Sequence, residues 1–275
     1  MAEWFKAPVL KTGVGKTTAS SNLASSAKTM KIELIPIKTR IIHPPKDDIF
    51  DVWDKLEVRE NDIVFVSSKI LGIHEGRCIK ASEITKQELI EQEAERYLKY
   101  VSDSGKIKVN LTINQGILIP GAGIDESNAE GYFVLWPKNP DEICRKFRAR
   151  LKKLTGVKNL AVVATDSHTM PLRLGVTGMA IGLSGLKPLK DIRGEEDIFG
   201  RKMHLTQIDK VDPLAAMAVA AMGESNERTP IVIMRGETGV EFGEGTIKQI
   251  KVAPEMDIYG ALTAKMPKVN LRRKQ

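Results

Sequence analysis

The sequence predicts a mixed α/β fold (α+β), and three observations lead to this class. Short apolar runs typical of buried strands, such as residues 159–165 and 230–234, alternate irregularly with amphipathic segments typical of helices. Glycine-rich turns separate these segments, and the chain shows neither an internal repeat nor a long linker. Hydrophobic residues make up 42% of the 275 and charged residues 28%, which argues against disorder, collagen and coiled coil.

The individual elements follow from local signals along the chain. Asp47 or Asp48 is expected to cap the first helix. The helix from Asn139 has Pro140 in its first turn and Asp141 to complement the helix dipole. Strands are expected at residues 31–37, 62–66, 107–113, 116–119, 159–165 and 230–234, and helices at residues 47–56, 85–100, 139–154 and from 212 onward.

The positive charge is concentrated at the two ends of the chain. Lys and Arg number 42 against 35 Asp and Glu, a net charge of +7. Residues 1–29 contribute +3 and residues 262–275 contribute +5, so the intervening body is close to neutral. Basic ends with few aromatic residues are typical of solvated tails, and we therefore expect no specific nucleic-acid partner.

The composition also indicates the cellular compartment in which the protein is expected. No stretch approaches the roughly 18 uninterrupted apolar residues of a membrane span, so no membrane association is expected. Cys78 and Cys144 are far apart and belong to no CxxC pair, which argues against a disulfide framework and against a cysteine zinc site. The reducing cytoplasm is the expected location.

Residues 11–18 resemble a phosphate-binding loop, in which glycine N–H groups cradle phosphate and Lys16 neutralises it. A full Walker A pattern needs glycine where Leu10 stands, and Pro8 interrupts the strand that should precede the loop. The stretch instead looks like an in-frame translation of a transfer-RNA gene. We therefore interpret residues 1–29 as a disordered, non-native extension, with Met30 as the natural start; a gene that does not fold as a serine-type cloverleaf would refute this.

The remaining chain is divided at residue 242. Residues 30–242 are expected to form the functional domain, and residues 243–275 a basic carboxy-terminal tail without an assigned role.

Two acidic sites carry the strongest chemical signal. Asp125 and Asn128 follow the glycine turn at residues 121–123, and Asp166 and Ser167 follow the apolar run at residues 159–165. Oxygen ligands on a turn suit a hard divalent cation, and the carboxyl ends of strands in α/β sheets commonly bind ligands. The alternative in both cases is a structural one, in which the carboxylate only caps a turn.

Several separated segments together carry a family resemblance. The chain resembles the coenzyme F420:gamma-glutamyl ligase family at residues 57–69, 75–77, 122–128, 166, 188–201 and 222–224. The resemblance implies a two-lobed fold that forms an intertwined homodimer. It also implies a ligase that uses GTP and a divalent metal, Mg or Mn, to join L-glutamate through a gamma-linked amide to a carboxylate-bearing deazaflavin precursor, coenzyme F420-0.

The resemblance also implies roles for individual residues. The implied metal ligands are Asp125, Asp166 and Ser167, with Glu224 as a further candidate. No catalytic residue is assigned apart from these. The residues implied to bind or adjoin the nucleotide are Ser67, Ser68, Lys69, Asn128, Arg235 and Gly236.

The chain departs from the family pattern at four positions. Ile73 replaces a lysine, Met170 an arginine, Leu172 a tryptophan and Val176 a glutamine. Each lost cation weakens a phosphate site, so a repurposed or non-catalytic homologue that binds metal and nucleotide is the alternative function. A partition-type ATPase that uses Lys16 and Asp166 is a third and weaker one.

Overall fold

The described residues form fourteen strands and six helices, with a five-stranded sheet at the centre. The computed structural model describes residues 31–101 and 108–269; the predictions for residues 1–29 and for Met30 fall outside this range. Its strands are β1 (Ile32–Ile37), β2 (Asp62–Ser67), β3 (Cys78–Lys80), β4 (Arg96–Val101), β5 (Lys108–Asn114), β6 (Ile117–Pro120), β7 (Tyr132–Val134), β8 (Leu160–His168), β9 (Thr177–Ser184), β10 (Leu186–Lys187), β11 (Leu189–Asp191), β12 (Gln207–Asp209), β13 (Ile231–Gly236) and β14 (Glu241–Phe242). Its helices are α1 (Phe50–Trp53), α2 (Ser68–Glu75), α3 (Lys86–Glu93), α4 (Pro140–Thr155), α5 (Val211–Met222) and α6 (Gly260–Thr263), with 3₁₀ turns at Gly121–Gly123 and Ile247–Gln249.

The central sheet is mixed, which confirms the predicted fold class. Its strand order is β1-β13-β2-β8-β9; β2 and β8 are parallel, and the other neighbours are antiparallel. Because side chains alternate along a strand, the sheet buries a different apolar set on each face. Val64 and Val66 of β2 pack with α1, α2 and α4 on one face, while Ile63 and Phe65 pack with α5 on the other.

A smaller layer supports the glycine turn at residues 121–123. Leu89 and Ile90 of α3 pack against Ala122, Ile124 and the short strand β7. Strands β4, β5 and β6 form a separate three-stranded antiparallel sheet, which ends directly before the turn. The acidic turn is therefore held by a different part of the structure from Asp166, which lies on the central sheet.

Two predicted elements differ from the structure. The expected helix at residues 85–100 ends at Glu93, because residues from Arg96 onward pair with β5 as a strand. Thr85 and Glu88 form the capping box that starts α3. Helix α2 was not predicted, since the sequence analysis followed β2 only into residues 67–69.

Residues 243–269 pack against the preceding chain. Ile247 is buried in the core on the α5 face, and Met266 is also buried. Arg96 Nη2 lies 2.5 Å from Glu255 Oε1, and the Lys251 ammonium donates to the Gln115 carbonyl at 2.6 Å. None of the helices in the described segments combines the length and apolarity needed to cross a bilayer.

Candidate functional site

A cleft of about 740 Å³ opens where β2 and β8 end. The parallel pairing aligns Ser67 of β2 with Thr165 of β8, so the residues that follow each strand reach the same edge of the sheet. The glycine turn and residues 223–230, after α5, supply the other walls. Seven of the predicted site residues line this one cleft: Ser67, Lys69, Asp125, Asn128, Asp166, Ser167 and Glu224.

Asp125 uses its two carboxylate oxygens differently. Oδ1 accepts hydrogen bonds from the Ser127 backbone N–H and hydroxyl, both at 2.9 Å, which is the turn-capping role anticipated as an alternative. Oδ2 lies 2.7 Å from the Lys69 ammonium. Asp125 therefore both shapes its turn and faces a cation in the cleft.

The turn that carries Asp125 has little steric freedom. Ala122 adopts a left-handed conformation with φ of 57°, and Gly123 follows with φ of 69°. A Cβ on Gly123 would lie 2.4 Å from Trp136 Cε2, so only glycine fits against the indole ring. Backbone hydrogen bonds in both directions between Asp125 and Val134, at 2.9 and 2.8 Å, hold the turn to the end of β7.

Lys69 connects the two acidic sites. It lies in the first turn of α2, and its ammonium also donates to the Ser127 carbonyl at 3.1 Å. Burial raises the pKa of both Asp166 and Glu224, and the charge of Lys69 opposes this rise, so both carboxyls lie within its electrostatic range. One ammonium group is thus the local counter-ion for a cluster of acids.

Asp166 is held from two sides. The Trp136 indole N–H donates to Oδ2, and the Ser167 backbone N–H donates to Oδ1 at 2.8 Å. Burial is the dominant cause that raises the pKa of Asp166, to about 7, against the opposing effect of these two donors. A divalent cation would reverse this shift because it stabilises the ionised carboxylate.

Ser167 and Glu224 meet across the cleft. The Ser167 side chain is hydrogen-bonded to the Glu224 carboxylate, while burial, the larger effect, raises the pKa of that carboxyl. Because successive residues of β8 point to opposite faces, Ser167 faces the α5 side of the sheet and Asp166 the α2 side. The strand end therefore presents oxygen atoms in two directions.

Asn128 closes one side of the cleft. Its Nδ2 donates to the Ser225 carbonyl at 2.9 Å, which ties the glycine turn to the segment after α5. Nearby, His43 Nδ1 lies 2.8 Å from Glu130 Oε1, so the loop after β1 is tied to the same side.

Three predicted nucleotide residues do not line the cleft. Ser68 is buried at the start of α2. Arg235 and Gly236 lie at the opposite end of the sheet, because β13 runs antiparallel to β2. There Arg235 forms a two-pronged ion pair with the fully buried Asp62, at 2.8 and 2.9 Å. Arg235 therefore pairs with a buried aspartate at the far end of the sheet and does not line the cleft.

The four departures from the family pattern occupy different environments. Ile73 and Val176 line the cleft, where they present hydrocarbon in place of polar groups. Met170 and Leu172 are exposed, with Leu172 fully accessible to solvent. Trp136 is a site residue that the sequence analysis missed, since a lone tryptophan in an apolar run reads as an ordinary core residue.

The donor set limits how a metal is held. Within residues 31–101 and 108–269, no three His, Cys, Asp or Glu side chains converge closely enough to form a metal site by themselves. Asp125 nevertheless already binds a cationic group, and carboxylate and hydroxyl oxygens are the ligands that Mg²⁺ prefers. Such ions commonly complete their shell with water and substrate phosphate, so the residues fit a metal that arrives with a nucleotide.

We predict that Arg235→Met destabilises the fold without weakening nucleotide binding. The substitution leaves Asp62 buried without its counter-ion, which lowers the free energy of unfolding by about 2–4 kcal/mol. Urea denaturation measures this change, and a filter assay measures GTP binding. The double variant Asp62→Asn/Arg235→Met removes both charges and should recover part of the loss; a selective loss of GTP binding would contradict the structural role.

Comparison with known proteins shows to which family the chain is related. The family model for F420-0:gamma-glutamyl ligase matches residues 36–236. Coenzyme F420:L-glutamate ligase of Methanopyrus kandleri is 32% identical over 249 residues, which cover 84% of this chain and 98% of that protein. The proteins of the same name from Methanocaldococcus jannaschii and Methanosarcina mazei are 32% and 33% identical, each over 83% of this chain and over 97% and 95% of their own lengths.

The matched region contains every residue that lines the cleft, and the match extends over nearly the full length of each relative. The resemblance noted from the sequence is confirmed, and the protein is an enzyme of the ligase class. The chain belongs to the F420-0:gamma-glutamyl ligase family.

Proposed function

We propose that the protein is a GTP- and divalent-metal-dependent ligase that forms a gamma-glutamyl amide between L-glutamate and coenzyme F420-0 or a related carboxylate. The observation that carries this proposal is that Asp125, Asp166 and Glu224 line one cleft together with the Lys69 ammonium, which pairs with Asp125. The names of the relatives support L-glutamate and coenzyme F420 as substrates. We place the reaction in the cytoplasm.

The chemistry requires an activated carboxylate. A free carboxylate is a poor acylating agent, so the acceptor's carboxylate oxygen attacks the terminal phosphorus of GTP, and GDP leaves. The amine of L-glutamate then attacks the acyl carbon of the resulting acyl phosphate. The amide bond forms, the C–O bond to phosphate breaks, and the amine loses a proton. The enzyme must therefore place three substrates in one cleft and shield their negative charges from one another.

Different residues of the cleft would perform these tasks. Asp125, Asp166, Ser167 and Glu224 would hold Mg²⁺ or Mn²⁺, which neutralises phosphate oxygens when bound. Lys69 occupies Asp125 Oδ2 and would turn to the nucleotide phosphates once a metal takes that oxygen. Ser67 and Asn128 would contact the nucleotide from two sides of the cleft. Trp136 keeps Asp166 oriented through its indole N–H.

The apolar wall at Ile73 and Val176 favours a second candidate function. A cleft with fewer phosphate-binding groups suits a homologue that binds metal and nucleotide but has lost or changed the acceptor reaction. The two candidates differ in one measurement, which is the incorporation of glutamate into an acceptor.

A two-lobed homodimer is also part of the proposal. The ribbon between β11 and β12 exposes Ile198, Phe199 and Leu205, each at least 88% accessible, which is unusual for large apolar side chains on a monomer surface. We predict a dimer in sedimentation experiments, with twice the mass of the chain. The variant Ile198→Asp/Phe199→Asp should sediment as a folded monomer; a monomeric wild type would contradict the dimer.

We predict that Asp125→Asn and Asp166→Asn each abolish metal-dependent glutamate incorporation. Each substitution removes a negative oxygen that faces the cation position while keeping the size of the side chain. Loss of such an electrostatic contact typically costs about 10²–10³-fold in rate. Transfer of labelled L-glutamate to coenzyme F420-0, or to coenzyme F420 as the related carboxylate, measures activity in the presence of GTP and Mg²⁺ or Mn²⁺.

The control is Glu126→Gln, which neutralises the exposed acid beside Asp125 that pairs with Lys86 outside the cleft. It should retain activity. If both aspartate variants incorporate glutamate at the wild-type rate, the proposed metal site is wrong. Nucleotide and metal binding without incorporation in the wild type would favour the second candidate function.

We predict that Lys69→Met tightens Mn²⁺ binding in the absence of nucleotide by up to about fivefold. The substitution removes the ammonium that competes for Asp125 Oδ2, and such a partly exposed ion pair is worth up to about 1 kcal/mol. It should also raise the KM for GTP, because a phosphate-facing cation is lost. Mn²⁺ titration followed by electron paramagnetic resonance gives the affinity.

Lys86→Met is the matched control, because Lys86 pairs with the neighbouring Glu126 at 3.4 Å. It should change neither value. An unchanged or weaker Mn²⁺ affinity in Lys69→Met would show that the ammonium does not occupy the metal position.

A further inference from the structure

A second groove, of about 460 Å³, lies beside the cleft and takes no part in the chemistry above. Its floor is apolar, with Ile35 and Ile37 of β1 and Ile233 of β13 below, and Leu56 at the end of the α1 segment. The groove follows the edge of the central sheet on the α1 face. We call it the edge groove.

Positive charge dominates the rim of the edge groove. Arg40 is already neutralised by Asp47 and Asp51, at 2.6 and 2.9 Å. Arg235 is committed to the buried Asp62. The other rim cations are Lys38, Lys55 and Arg59, and across residues 31–101 and 108–269 none of these three has an ion-pair partner.

The edge groove adjoins the cleft. Thr39 and Arg40 line both spaces. The Thr39 backbone N–H donates to the Arg228 carbonyl at 2.8 Å, and the Arg40 guanidinium is fixed by its two aspartates, so the shared wall is well anchored. The two spaces lie on either side of this wall, so an extended ligand that reaches over it would contact both.

The charges of the two spaces are opposite. The cleft is lined by acids, among them Asp125, Asp166 and Glu224, whereas five cations and only two acids, Asp51 and Glu57, line the edge groove around its apolar floor. An acceptor with more than one anionic group therefore gains by extending into the edge groove while its reacting carboxylate stays in the cleft.

We propose that the edge groove binds the anionic, partly apolar portion of the acceptor that lies outside the reaction cleft. Lys55 and Arg59 are the specificity-determining cations of this subsite, and the isoleucine floor packs against the hydrocarbon or ring portion of the ligand. The assignment of this ligand as the acceptor rests on the proposed ligase function.

Binding of coenzyme F420 without nucleotide tests the subsite directly. Equilibrium dialysis compares wild type with Lys55→Gln/Arg59→Gln. The loss of two exposed cations should weaken binding about tenfold and flatten its dependence on salt. The matched control Lys80→Gln/Lys153→Gln removes two exposed lysines from β3 and α4 and should bind like wild type, and Lys55→Arg/Arg59→Lys should retain most of the affinity.

Glutamate incorporation by the same proteins separates this inference from the proposed function. The expected result is a raised KM for coenzyme F420 in the glutamine double variant, with the KM for GTP unchanged. If wild type binds coenzyme F420 through these cations but incorporates no glutamate, the ligase function fails and the subsite stands. Equal affinity and equal salt dependence in wild type and the glutamine double variant would overturn the subsite, as would no binding by wild type.

Discussion

The parallel pairing of β2 with β8 determines where the groups of the cleft can lie. This pairing needs a long crossover, which here contains α2, the α3 layer and α4. It brings Ser67 and Thr165 to one edge of the sheet, so that α2 starts beside the residues that follow Thr165. A bulge between Ala164 and Thr165 then lets β8 continue along β9 and carry Asp166 beyond the parallel pairing.

Electrostatic balance is the second constraint on this site. Three carboxylates share a partly buried cleft; burial raises the pKa values of Asp166 and Glu224, and the negative charge of Asp125 raises them further by a smaller amount. Lys69 offsets part of this repulsion from the first turn of α2. Under the proposed function, a divalent cation would replace the lysine at Asp125 Oδ2 and continue to offset the charge of the acids.

The sequence identified most of the predicted site residues that line the cleft, but it did not predict all of the elements that hold them. Two signals are local to the sequence and do not depend on packing. They are the glycine turn followed by Asp125 and Asn128, and the apolar run followed by Asp166. Helix α2 was missed because it is short and contains Gly72, a poor helix former, although Ser67 and Gly76 are residue types typical of helix ends. The helix expected at residues 85–100 was too long, because pairing with β5 overrides local helical propensity from Arg96 onward.

The sequence by itself determined the family and the mixed fold class, because these depend on residue types and patterns at short spacing. Only the tertiary structure decided which of the predicted site residues meet. It gave Asp125 a lysine partner, Asp166 an indole donor and Arg235 a buried aspartate at the far end of the sheet. These contacts depend on the direction of β13 and on the register of β2 with β8. Both are set by packing between segments that are distant in the sequence, so no single segment carries a signal for them.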